Sequence, residues 1–154
     1  MPLRWTLNSP PDKVPFVIVG ASNIANGQIA VRWASDPAQA QGARTYYVAM
    51  RQTSERLEEA DSRECAFGPL MQDLRDIPMP ETIIPGTEPD QRWPEPQFQH
   101  QVASITLVRS RQADGQSAKV MLTASHGLIF DWAARLFAAT EKCWKPMATP
   151  AQLP

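Results

Sequence analysis

The sequence predicts an α+β domain: a mostly antiparallel sheet of five or six strands, with a C-terminal amphipathic helix packed on one face. Three observations predict it. Two β-branched, apolar segments, residues 102–108 (VASITLV) and 119–124 (KVMLTA), flank an Asp114-Gly115 turn signal. Directly after them, GLIFDWAARLFAATEKCWK places Ile129, Trp132, Ala133, Leu136, Thr140, Cys143 and Trp144 on one helical face. Asp131, Arg135, Ala138, Lys142 and Lys145 fall on the other. Finally, the connections between the earlier apolar segments are short, which favours antiparallel pairing of neighbours.

Taken in order, Leu3, Trp5 and Leu7 alternate with polar residues as in a half-buried strand, and Pro10-Pro11 ends it. Residues 16–21 (FVIVGA) are continuously apolar and suit a central strand. Asn26-Gly27 then turns the chain into residues 28–33, where Ile29, Val31 and Trp33 alternate with Gln28, Ala30 and Arg32. Tyr46, Val48 and Met50 mark a further strand. Thr53-Ser54 followed by Glu55, Glu58 and Glu59 reads as the start of a short helix, because hydroxyl caps and acidic first turns suit a helix N-terminus. Gly68-Pro69 breaks it, and Pro69 can restart a turn or two through Leu70, Met71 and Leu74. In this reading Trp132, Leu136 and Trp144 press onto Ile29, Val31, Val48 and Leu122.

Residues 77–98 hold six prolines, so they read as a surface connection rather than a regular element. Residues 146–154 read as a flexible tail, and the 154 residues as one domain. Hydrophobic residues at 43% and charged residues at 20% fit a globular chain. The net charge of −1 lacks the basic surplus that nucleic acids or anionic membranes demand. Its distribution is uneven: residues 1–54 carry +3, residues 55–95 carry −7, and residues 96–154 carry +3. With two cysteines, no CxxC pair, no apolar leader and no apolar run of about 20 residues, the expectation is a cytoplasmic chain with both thiols reduced.

The chemistry-bearing motifs are sparse. No GxGxxG, GxxxxGK[ST], GxSxG or HExxH occurs, and Val19-Gly20-Ala21-Ser22 lacks the remaining glycines of a dinucleotide loop. His100 has no ligand-spaced neighbour, and Glu58, Glu59, Asp61 and Glu64 read as a solvated face rather than a metal site. No catalytic residue, metal site or cofactor is therefore assigned.

Two candidate sites remain. Ser125-His126-Gly127 sits at the start of the C-terminal helix, one turn before Asp131. A pocket between sheet and helix would be edged by Tyr46 or Tyr47, His126 and Asp131. In the proline-rich connection, Arg92 and Trp93 lie among Glu88, Asp90 and Glu95, an apolar anchor within a polar rim. The first functional expectation is thus a non-enzymatic protein-binding module of the chaperone, inhibitor (immunity) or adaptor type. Its partner is another protein, a homodimer being compatible, with neither nucleic acid nor membrane. The alternative is a small-molecule-binding or small-pocket enzyme domain.

Overall fold

A computed structural model describes residues 15–21, 27–35, 45–80, 84, 86 and 102–147. Seven strands and two helices occur among them: β1 (Val17–Ala21), β2 (Gln28–Ser35), β3 (Thr45–Gln52), β4 (Leu57–Asp61), α1 (Gly68–Asp76), β5 (Ala103–Arg111), β6 (Ser117–Ala124), α2 (Leu128–Thr140) and β7 (Lys145–Pro146). The strands form one sheet in the order β6-β5-β1-β2-β3-β4-β7, and every pairing is antiparallel. The α+β class, the antiparallel sheet and the C-terminal helix agree with the sequence reading. The strand count does not, since seven strands occur among the described residues against an expected five or six. The expected strand over residues 3–7 lies outside the described residues.

The surplus comes from β4 and β7. Residues 57–61 (LEEAD) were expected in a short helix because Thr53 and the acidic run resemble a capped N-terminus; they form a strand instead. The cap is real but closes a turn. Thr53 Oγ1 accepts from the Arg56 and Glu55 amides at 3.1 and 3.3 Å, and the Thr53 amide donates to the Arg56 carbonyl at 2.9 Å. That turn sends β4 back along β3, pairing Ala49 with Ala60 and Arg51 with Glu58. α1 begins as expected, with Pro69 in its first turn, where its missing N–H costs nothing.

Register sorts the side chains onto two faces. Val17, Val19, Ile29, Val31, Ala49, Ala60, Ala103 and Ile105 lie on the face that meets α1 and α2, forming one core with Phe67, Leu70, Met71, Trp132, Ala133 and Leu136. Small Ala49 and Ala60 stand in line with Val31, leaving room for the rings of Phe67 and Trp132. Ala30, Val48 and Met50 pack on the opposite face with Ile18 and Tyr46. Val48 was expected beneath α2. The pairing of Val31 with Ala49 gives that place to the odd-numbered residues of β3 instead.

α2 buries Trp132, Ala133, Leu136 and Thr140 while Asp131, Arg135 and Ala138 stay exposed, the division that the helical spacing predicts. The helix stops at Thr140, whose Oγ1 donates to the Leu136 carbonyl at 2.9 Å. Beyond it the chain turns, and Lys145 and Pro146 pair with Glu59 and Glu58 of β4. The Met147 amide then donates to the Leu57 carbonyl at 3.1 Å.

The expectation of reduced thiols is corrected: Cys65 and Cys143 form a disulfide, with Cα atoms 6.1 Å apart. Cys65 lies in the turn before α1 and Cys143 just after α2. Helix packing brings them together across 78 residues, a proximity no local spacing announces.

Candidate functional site

The arginine-rich end of the helix-facing sheet surface carries the most organised polar cluster among the described residues. Glu58 is 4% exposed, and a buried carboxylate at that depth needs partners for both oxygens. Arg51 supplies one side: its Nε and Nη2 each lie 2.8 Å from Oε1. Arg56 supplies the other, with Nε at 3.2 Å and Nη2 at 3.0 Å from Oε2. The Trp144 ring stacks against Arg51, its centroid 4.4 Å from the guanidinium carbon. Burial pushes the Glu58 carboxyl up, but the hydrogen bonds and charges of Arg51 and Arg56 outweigh it, so its pKa falls below the ordinary carboxylate value.

Strand pairing explains the cluster. Arg51 and Glu58 are directly opposite on β3 and β4, and Arg56 is two residues before Glu58. Next to Arg51 opens a pocket of about 350 Å³, lined by residues 27–29, residues 51–54 and Phe137. Ile29, 1% exposed, provides an apolar floor, and Phe137 brings α2 to its wall. Sequence reading missed this site. Arg51 and Glu58 carry no motif, and their pairing appears only once β4 is recognised as a strand.

The residues singled out from sequence are placed apart. Tyr46 and Tyr47 point to opposite faces of β3, as adjacent strand residues must. The Tyr47 ring meets Phe16 edge-on at 5.9 Å between centroids. Tyr46 lies beneath the Arg63 guanidinium at 3.7 Å, beside the Asp61–Arg63 ion pair. Burial raises the Asp61 carboxyl, but hydrogen bonds from Arg63, with the charges of Arg63 and Arg32, bring it below the ordinary value.

His126 is exposed between β6 and α2, its Nδ1 3.2 Å from Ser125 Oγ. Asp131 is exposed in the first turn of α2. Three strands, β5, β1 and β2, separate β6 from β3, so the tyrosines and His126 do not share a pocket. Arg92 and Trp93 lie outside the described residues, as does most of the 77–98 connection.

A second feature lies at the far edge of the sheet. Among the described strands β6 is terminal in the order, and it is eight residues long. Its side chains alternate between exposed and half-buried, and Met121 is 71% exposed. Leu128, just beyond at the start of α2, is 64% exposed. The opposite edge, β7, is two residues long.

Among the described residues no three or more His, Cys, Asp or Glu side chains are grouped to hold a metal ion. No described helix is long and apolar enough to cross a membrane. The chain matches no protein-family model, and neither a curated protein nor a solved structure is similar to it.

Proposed function

We propose that the chain is a non-enzymatic protein-binding module of the chaperone, inhibitor or adaptor kind, and that it takes an extended segment of its partner by strand addition at β6. The observation that carries this reading is the β6 edge: eight residues, terminal among the described strands, with Met121 presented beside it. An open edge offers a row of backbone donors and acceptors to an incoming strand, and alternate side chains add selectivity. Lys119 is the single charged residue in β6, so the edge suits a partner strand of mixed or acidic composition. The Cys65–Cys143 disulfide favours an oxidising compartment over the cytoplasm for this activity.

The test is selection of extended peptides from a random dodecapeptide display library on the immobilised protein, followed by amide exchange mapping. Selected peptides should slow exchange along residues 117–124, and Val120→Pro or Met121→Asp should weaken them at least tenfold. Binders that protect another surface, or a library that yields none, would reject strand addition at β6.

A second reading, a small-molecule-binding domain with its site between sheet and C-terminal helix, is favoured by the 350 Å³ pocket between β2, β3 and Phe137.

A further inference from the structure

We infer that the pocket beside Arg51 binds a small organic monoanion, a carboxylate on an apolar body, with the carboxylate on the Arg51 guanidinium. This rests on the small-molecule reading of the pocket and is independent of strand addition at β6.

The inference comes from how Arg51 is held. Two of its nitrogens, Nε and Nη2, are committed to Glu58 Oε1, and the Trp144 ring lies against the guanidinium plane. An arginine fixed on one edge by a buried carboxylate and on one face by an aromatic ring has lost most of its rotamer freedom. It therefore gives up little further entropy when it meets an anion. Nη1 is the nitrogen not turned to Glu58, and the side chain, 36% exposed, lines the pocket.

Charge balance points the same way. Glu58 is shared by two guanidinium groups, so the cluster carries one surplus positive charge. Among the described residues no acidic side chain lines the pocket to cancel it. The rest of the lining matches an amphipathic ligand. Ile29 and Phe137 offer apolar contact, while Gln28, Gln52 and Ser54 offer neutral hydrogen-bonding groups. The volume is at the small end for ligand sites, which suits a single ring or short chain rather than a nucleotide. For so few atoms the dissociation constant falls on the order of 0.1–1 mM.

The test uses the full, disulfide-bonded chain labelled with nitrogen-15. It is titrated at constant ionic strength with benzoate, phenylacetate and hexanoate, and with their three carboxamides. The carboxylates should shift the backbone amides of residues 27–29 and 51–54 saturably, and the carboxamides should bind at least tenfold more weakly. Arg51→Gln should weaken the carboxylates at least tenfold. Because that change also strips Glu58 of a partner, Ser54→Trp provides a second variant. Ser54 lines the pocket and is no partner of Glu58, so the indole should fill the space with the Arg51–Glu58 pair kept, abolishing the shifts while the variant melts like the parent. Carboxamides that bind as tightly as the acids at these amides would overturn the anion while leaving a ligand pocket. The absence of saturable shifts with all six probes would overturn both.

Discussion

Trp132 Nε1 donates a 2.6 Å hydrogen bond to the Leu70 carbonyl, tying the centre of α2 to the first turn of α1. The ring itself is fully buried, so one side chain fills the core and closes the only polar gap its indole would leave. An exposed ion pair, Arg135 to Asp73 at 3.1 Å, spans the same two helices at the surface and adds little by comparison.

Trp132→Ala should therefore destabilise the domain by about 3–5 kcal/mol, the scale of a large aromatic removed from a packed core. Trp132→Phe retains most of the packing and should lose about 1–3 kcal/mol through the missing hydrogen bond. Urea denaturation of the three proteins measures both. A Trp132→Phe variant as stable as the parent would show that the hydrogen bond contributes nothing.

Glu58 makes stability depend on acid. Its folded pKa is depressed, so the stabilisation it confers is present above the unfolded carboxylate value and is lost as pH falls through the folded one. Asp61, also depressed, adds to the same limb. The urea midpoint should fall between about pH 5 and pH 3. In Glu58→Gln the unfolding free energy should start lower, by about 1–3 kcal/mol, since the arginines left behind still reach water. The variant should also fall less steeply on acidification. A parallel curve for the variant would show that Glu58 does not set this dependence.

The elements legible in the sequence are those whose signal is local. The β5–β6 hairpin is one: Asp114 Oδ1 accepts from the Gln116 amide at 3.0 Å, and Gly115 sits at φ 85°, the geometry its Asp-Gly pair announces. The buried stripe of α2 is another. β4 was hidden because Glu58 and Glu59 have poor strand propensity, and the strand exists through partners on β3 that no local pattern displays. The Arg51 pocket and the disulfide were hidden for the same reason. Arg51 with Phe137, and Cys65 with Cys143, meet through the topology alone.

The disulfide closes a loop with a sequence separation of 78 residues, and cross-links of that span restrict the unfolded chain by about 4 kcal/mol. Replacing Cys143 by Ser should lower stability by up to that amount. Exchange should quicken first at residues 144–147, where β7 pairs with β4 through two residues. Under denaturing, non-reducing conditions the parent should show no free thiol, and two after reduction. Two free thiols before reduction would mean the bond does not form.

Gly127 stands directly before α2 at φ 86° and ψ −165°, a region that side-chain-bearing residues scarcely enter. No atom of a described residue lies within 4 Å of where a Cβ would stand, so the cost of Gly127→Ala comes from the backbone and not from a clash. That cost should be about 1–3 kcal/mol. His126, its exposed neighbour, should by contrast tolerate Ala with a change within about 0.5 kcal/mol, because its contact is with Ser125 at the surface. Thermal melts of the two single variants make the comparison. If Gly127→Ala cost no more than His126→Ala, the glycine backbone would not be what fixes the entry into α2.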